Sequence, residues 1–152
     1  LIAARAMNRA MEMLKPRLAE TGAKPAGKYV IGTVLGDHHD IGKNLVRMML
    51  QGKGFEVVDL GINVPPERFV EAIKDDTDII GMSALLSTTR VLMKETIDAI
   101  REAGLRDRVK VMVGGGAVTE EYARQIGADG YGSDAILSAE LALRLVRQKR
   151  EV

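Results

Sequence analysis

The sequence predicts an α/β fold built on one parallel sheet, and two observations carry this prediction. Short apolar runs rich in valine and isoleucine alternate with amphipathic segments, and glycine, proline or aspartate marks each change from one to the next. Such regular β-α alternation implies parallel strands with right-handed crossovers and helices on both faces of the sheet. The β-α units of this chain suit a flavodoxin-like, Rossmann-like sheet of five strands in the order 2-1-3-4-5.

A helix over residues 3–18 comes first and stands outside the alternating pattern. Apolar side chains recur there at three- and four-residue steps with charged residues between them, as in an amphipathic helix. The following stretch "GAKPAGK" contains glycine and proline and is typical of a linker.

The β-α units begin at residue 28. The predicted strands are "KYVIGTVLG", "FEVVDLG", "DIIGMSAL", "VKVMVGGG" and "ADGYGSD". The predicted helices are residues 41–51, "PPERFVEAIKDD", "TTRVLMKETIDAIREAG", "VTEEYARQIG" and "AILSAELALRLVRQKR". Proline opens the second of these helices, whereas threonine is expected to cap the third and Gly104 to end it.

The composition limits the possible functions. The 152 residues, 46% of them hydrophobic, suffice for one globular domain with its own core. Because 22 basic residues nearly balance 21 acidic ones without a basic block, nucleic-acid binding is not indicated. The lack of cysteine excludes disulfides and thiolate metal sites. No long apolar span and no signal-peptide pattern occur, so we expect a soluble, cytoplasmic protein that does not bind membranes. Because the sequence begins with leucine, we also expect it to be a part of a longer chain.

Three loops are expected to form a ligand site. In a sheet of this type, ligands bind beyond the carboxyl ends of the strands, at the switch point between the first and third strands. The loops at that edge are "GDHHDIG" after the first strand, "SALLSTT" after the third and "GGGAVT" after the fourth. Each is rich in small or polar residues, so this edge is the predicted functional site.

The stretch "GDHHDIGKN", residues 36–44, contains both histidines of the chain. Asp37 can accept a hydrogen bond from one ring nitrogen of His39, which leaves the other nitrogen free as a base or metal ligand. Gly42 leaves space for a bulky group near the backbone. The alternative is a pair of solvated histidines beside an aspartate that caps a helix.

Several functions are disfavoured by the same residues. A P-loop has four residues between its glycine and its Gly-Lys, followed by serine or threonine, whereas this chain has five and then Asn44. A response-regulator receiver would have an aspartate at the end of the third strand, where the chain reads "IIGMSA". At 3% aromatic content, few rings are available to enclose a flavin. Adjacent histidines and aspartates rarely form a zinc site without a distant ligand.

The stretch "GTVLGDHHDIGKNLV" resembles the cobalamin-binding loop of the corrinoid methyltransferase proteins, whose signature is Asp-x-His-x-x-Gly. Two further motifs of that family follow in order, a Ser-x-Leu after the third strand and a Gly-Gly after the fourth. The matching residues are Asp37, His39 and Gly42, then Ser83 and Leu85, then Gly114, Gly115 and Gly116. The first motif alone is weak, but the three together, spread over residues 28–150, are specific.

The resemblance implies that His39 is the lower axial ligand of the cobalt in cobalamin or a related cobamide, replacing the cofactor's own benzimidazole. Asp37 would be hydrogen-bonded behind it, and the displaced nucleotide tail would lie in a slot between the first and third strands. Ser83 would bond to the tail, Leu85 would pack on it, and glycines after the fourth strand would let it pass. The other residues implied to bind the cofactor are Gly36, His38, Asp40, Ile41, Ser87, Thr88, Tyr131 and Gly132.

Structural roles are the alternatives for several of these residues. Asp40 could cap the following helix, and the stretch Ser87–Thr89 could cap the helix after the third strand. The glycines could form only a tight turn, and Tyr131 could pack at the sheet edge.

The resemblance further implies a methyl carrier and not a complete enzyme. Such a protein shuttles a methyl group on cobalt, between Co(I) and methyl-Co(III), from a substrate-specific corrinoid methyltransferase to a methyl-acceptor methyltransferase acting on a tetrahydrofolate or a thiol. Residues 1–22 would then be the last helix of a truncated helical cap domain, residues 23–27 a linker and residues 28–152 the cobalamin-binding domain. The alternatives are the B12 domain of an adenosylcobalamin mutase, a B12-sensing regulatory domain and, more distantly, an electron-transfer flavodoxin.

Overall fold

The computed structural model describes residues 2–152, apart from the side chains of Ala4, Leu18 and Ala19. The expectations that fall on Leu1 and on the side chain of Leu18 therefore lie outside the described residues. The helices are α1 (Ile2–Glu20), α2 (Ile41–Gly52), α3 (Pro66–Ala72), α4 (Val91–Glu102), α5 (Glu120–Gln125) and α6 (Ala135–Arg150), with a 3-10 turn at Arg106–Arg108. The strands are β1 (Lys28–Thr33), β2 (Glu56–Asp59), β3 (Ile79–Ser83), β4 (Lys110–Gly114) and β5 (Gly130–Gly132).

The five strands form one parallel sheet in the order β2-β1-β3-β4-β5. The predicted fold class and strand order are thereby confirmed. In the register of the sheet, Thr33 of β1 lies beside Ser83 of β3, and Ser83 lies beside Gly114 of β4. The loops that follow these three strands consequently leave the sheet from the same edge, which we call the carboxyl edge.

Each face of the sheet is covered by its own helices. One cluster of buried side chains joins the sheet to α2 and α6, through residues such as Tyr29, Leu50 and Met112. A second cluster joins the opposite face to α3, α4 and α5, through residues such as Phe69 and Ile97. The face under α2 and α6 is called the first face below. Helix α1 contacts α2.

The helix ends correct one prediction. Pro66 opens α3, and Gly104, with a φ of 72°, follows the end of α4, as the sequence predicts. The predicted threonine cap of α4 is wrong, because the residue before the helix is Arg90 and no side chain caps it. The hydroxyl of Thr89 instead bonds to a carboxylate of the β1-α2 loop.

Candidate functional site

The centre of the carboxyl edge is the carboxylate of Asp37, whose side chain is fully buried in the loop between β1 and α2. Its Oδ2 accepts hydrogen bonds from the backbone N–H of Leu85 at 2.8 Å and from the hydroxyl of Thr89 at 2.7 Å. Its Oδ1 accepts bonds from the ring Nδ1 of His39 at 2.7 Å and from the backbone N–H of that residue at 3.1 Å. One carboxylate therefore joins the β1-α2 loop to the loop after β3.

These bonds keep Asp37 ionised. Burial on its own would raise the pKa of this carboxyl group, but the donors from Thr89, Leu85 and His39 outweigh it and hold the pKa well below its usual range. An ionised carboxylate can only accept, so Nδ1 of His39 carries the proton that it donates. In the neutral form of the imidazole, the lone pair is then on Nε2.

His39 faces outward from this anchor. Its side chain is 52% exposed, and Nε2 has no hydrogen-bond partner among the described residues. The carbonyl of His39 accepts a bond from the hydroxyl of Thr33 at 2.9 Å, at the end of β1. Backbone and ring are both fixed, whereas Nε2 is free to bind a metal or take a proton.

Asn63, in the loop between β2 and α3, holds residues 36–40 of the β1-α2 loop, called the histidine loop below, from the other side. Its side-chain oxygen accepts a bond from the backbone N–H of Gly36 at 2.8 Å, and its own N–H donates to the carbonyl of Asp37 at 2.9 Å. With a φ of 53°, it lies in the left-handed region, which asparagine tolerates better than most residues.

Two replacements of Asn63 should separate the contribution of its side-chain hydrogen bond from the strain of its left-handed backbone. We expect Asn63→Gly, which keeps the backbone but removes the side-chain oxygen, to lower the free energy of unfolding by about 1 kcal/mol. Asn63→Ala should cost about 2 kcal/mol, because a left-handed alanine adds strain. Urea unfolding of the apoprotein measures both values, and equal losses would show that backbone strain contributes nothing.

A cavity of about 430 Å³ opens beside the histidine loop and extends along the first face, between α2 and α6. This volume is typical of sites for small molecules. Gly42 and Lys43 border it on the α2 side, and Asp134 and Ser138 on the α6 side. Its floor is the sheet, where glycine replaces a side chain on the first face in three neighbouring strands, at Gly81, Gly114 and Gly132.

The predicted site residues divide into two groups around this cavity. Seven of them line it: Gly42, Ser83, Gly114, Gly115, Gly116, Tyr131 and Gly132. The others lie in the histidine loop, at the first residue of α2 or in the loop after β3: Gly36, Asp37, His38, His39, Asp40, Ile41, Leu85, Ser87 and Thr88. Asp40 is the residue before α2, but its side chain makes no hydrogen bond that caps the helix. The side chain of Tyr131 packs against the buried cluster on the opposite face of the sheet.

The glycines after β4 have a packing role of their own. A Cβ on Gly115, whose φ is 114°, would overlap the carbonyl of Ala84, and one on Gly116 would come within 2.7 Å of Leu85. These glycines therefore let the loops after β3 and β4 approach each other closely. By contrast, a Cβ on Gly42 would meet no atom within 4 Å, so space is open beside the histidine loop.

Exposed apolar side chains surround the same edge. They belong to the loops and to the first turns of α2 and α6: Leu35, Ile41, Leu45, Ile62, Leu85, Leu86, Ile136 and Leu137. An accumulation of exposed leucine and isoleucine around a cavity is typical of a binding surface for a large, partly apolar ligand.

Sequence reasoning missed Thr89, because a threonine just before a helix matches a cap. Thr89 lies two residues before α4, and its bond to Asp37, 52 residues away in the sequence, is visible only in the folded structure. No cluster of three or more His, Asp or Glu side chains in the described chain could hold a metal ion by itself. Among the described helices, none is long and apolar enough to cross a membrane.

Known proteins resemble this chain in sequence and in fold. The chain is 49% identical over 138 residues to trimethylamine corrinoid protein 1 of Methanosarcina acetivorans, which covers 89% of this chain and 64% of that protein. The chain thus spans just under two thirds of the length of this relative.

Two solved structures are also similar. A cobalamin-binding protein of Desulfitobacterium hafniense matches with a TM-score of 0.80 and 38% identity, over 94% of this chain and 68% of the other. A chain of the methanol:cobalamin methyltransferase complex of Methanosarcina barkeri matches with a TM-score of 0.80 and 34% identity, over 95% of this chain and 55% of the other. The B12 binding domain family matches residues 27–140, three quarters of the sequence and all of the loops described above. The chain therefore belongs to the family of B12-binding domains.

Proposed function

We propose that this chain is the corrinoid-binding part of a methyl carrier, which takes a methyl group from one methyltransferase and presents it to another. The observation that carries the proposal is the half-exposed imidazole of His39, held by the buried carboxylate of Asp37 beside the cavity of the first face. A corrinoid supplies a cobalt centre that can accept a methyl group and release it.

The residues present fit such a group. An apolar rim suits the broad face of a corrin ring, and the cavity along the first face offers a separate slot for a nucleotide tail. The open space beside Gly42 leaves room for the ring to approach the loop backbone. A neutral imidazole with its lone pair on Nε2 is the form that binds a metal.

In this proposal, His39 would hold the cobalt, and the hydrogen bond between His39 and Asp37 would control that contact. Nε2 of His39 would be the ligand, and Asp37 would orient the ring and fix its tautomer by accepting the hydrogen bond from Nδ1. Thr89 and the Leu85 N–H adjust how much negative charge the carboxylate offers to the ring. This chain of bonds lets the environment of β3 influence the affinity of His39 for the metal.

The remaining candidate residues have binding roles in the same proposal. Ser83, Gly114 and Gly132 would line the path of the tail, and Leu85, exposed at the rim, would pack on it. Gly36, His38, Asp40, Ile41, Ser87, Thr88, Gly115, Gly116 and Tyr131 would form the surroundings of the ring and tail.

We propose two protein partners and a wider domain organisation on the same basis. One partner is a substrate-specific corrinoid methyltransferase, and the other transfers the methyl group to a tetrahydrofolate or a thiol. The similarity to a chain of a methanol:cobalamin methyltransferase complex supports the first of these. Residues 1–22 would belong to a helical cap domain, since α1 exposes Met7, Met13 and Leu14, and the cytoplasm would be the compartment.

The test is methyl transfer to the protein itself. The chain is loaded with cobalamin, the cobalt is reduced, and methylamine- or methanol-specific corrinoid methyltransferases are added with a radiolabelled donor. We expect enzyme-dependent label on the protein-bound corrinoid. Binding of cobalamin without labelling by any of these enzymes would contradict the carrier function, and labelling equal to that of free cobalamin would show that the protein contributes nothing.

A further inference from the structure

Tyr29, on β1, occupies an unusual position on the first face. Its side chain is buried, and its ring packs edge-on against Phe55 with the ring centres 6.2 Å apart. The ring extends across the neighbouring strand, where a Cβ on Gly81 would overlap both the ring and its hydroxyl. Gly81 therefore provides the space through which this phenol crosses β3.

The hydroxyl of Tyr29 ends at a poor acceptor. Its hydrogen-bond partner in the described structure is the thioether sulfur of Met112, at 3.7 Å. Sulfur accepts weakly, so most of the cost of burying this hydroxyl is left uncompensated. Burial also raises the pKa of Tyr29 far above its usual value, so the group remains a proton donor.

This donor lies at the inner end of the slot. Tyr29 and Met112 both border the cavity, whose other walls reach the carboxyl edge at Gly42 and Asp134. Tyr29 precedes Thr33, the last residue of β1, by four residues, which corresponds to about 13 Å of strand. Another buried hydroxyl of the cavity wall, that of Ser138, already donates to the carbonyl of Asp134 at 2.6 Å.

We propose that Tyr29 selects the lower base of the corrinoid, by donating a hydrogen bond to an acceptor on the outer edge of that base. The inference rests on the proposed function, because it requires a nucleotide tail in the slot with its base innermost. A base with a hydroxyl group or a ring nitrogen on that edge satisfies the phenol. A base with methyl groups on that edge offers no acceptor, so the hydroxyl of Tyr29 keeps its weak bond to the sulfur of Met112.

The test compares the affinities of three corrinoids by equilibrium dialysis. The probes are cobalamin, whose base bears two methyl groups, the cobamide with a hydroxybenzimidazole base, and cobinamide, which lacks the nucleotide tail. We expect the native protein to bind the hydroxylated cobamide about tenfold more tightly than cobalamin, as one good hydrogen bond would provide. It should bind cobinamide more weakly than either.

Tyr29→Phe keeps the ring and removes the donor. It should abolish the preference by weakening binding of the hydroxylated cobamide, with cobalamin binding changed less than twofold. Met112→Leu, which removes the competing sulfur, should preserve or increase the preference. Tyr122→Phe is the matched control, since its hydroxyl donates to the carbonyl of Arg90 on the opposite face.

Each other outcome counts against a particular claim. Equal preference in the native protein and in Tyr29→Phe overturns the role of Tyr29 but leaves the proposed function intact. Equal binding of cobinamide and the two complete cobamides overturns the placement of the tail in the slot. A native protein that binds none of the three corrinoids contradicts the proposed function itself.

Discussion

Replacing Asp37 by alanine is expected to lower the free energy of unfolding of the apoprotein by about 3 kcal/mol. The substitution leaves the N–H of Leu85 without its acceptor, limits the hydroxyl of Thr89 to the carbonyl of Leu86 at 3.1 Å and releases the ring of His39. Part of the loss is offset because a buried carboxylate no longer has to be desolvated. Urea unfolding measures the change, and a loss below about 0.5 kcal/mol would contradict the central role of this carboxylate.

Asp37→Asn is the matched control, because it preserves the shape of the side chain and one acceptor oxygen. It should destabilise the protein less than alanine does, and the difference from native protein should depend on pH. The folded pKa of Asp37 lies below that of the unfolded chain, so its ionised form stabilises the fold fully above about pH 4. As pH falls below about 4, that contribution is lost, and the native protein should approach Asp37→Asn in stability.

Asp59→Ala is the second substitution with a large expected effect, a loss of about 3 to 5 kcal/mol in the free energy of unfolding. Asp59, at the end of β2, accepts two hydrogen bonds from the ammonium group of Lys43, at 2.7 and 2.8 Å. The side chain of Lys43 is only 2% exposed, so without Asp59 its charge would be buried beside the neutral amide oxygen of Asn44.

A double-mutant cycle separates the ion pair from simple packing. Lys43→Met alone should cost less than Asp59→Ala, because Asp59 is more exposed and keeps Arg47 at 3.5 Å. Combining the two substitutions should restore much of the stability lost in Asp59→Ala. Additive losses in the double variant would show that the pair is not coupled. Because Lys43 lies in the first turn of α2, weaker corrinoid binding should accompany the loss of stability.

Much of the fold follows from local patterns in the sequence. β1, β2, β3 and β4 lie in short apolar runs bounded by turn residues, whereas β5 is only Gly-Tyr-Gly. The periodicity of each helix is set by the face that it buries. The strand order followed from the number and alternation of these units, since right-handed crossovers leave few arrangements. The prediction of a threonine cap for α4 was wrong because the local sequence around Thr89 is the same whether its hydroxyl caps a helix or bonds to Asp37.

The contacts that position the candidate site join residues that are far apart in the sequence, so local sequence patterns do not predict them. Asn63 reaches Gly36 across 27 residues, and Tyr29 reaches Met112 across 83. Asparagine in a loop and tyrosine in a strand are ordinary at those positions, so nothing in their neighbours marks them. The glycines of the first face are visible in the sequence, but which glycine faces the slot depends on strand register, and only the folded sheet establishes it.

The most direct measurement is the visible absorption spectrum of the protein loaded with methylcobalamin, native beside His39→Ala. We expect a six-coordinate spectrum for the native protein, a spectrum without the lower nitrogen ligand for the variant, and recovery of the native spectrum when imidazole is added. Identical spectra for the two proteins would contradict the assignment of His39 as the axial ligand, even if both bind the corrinoid.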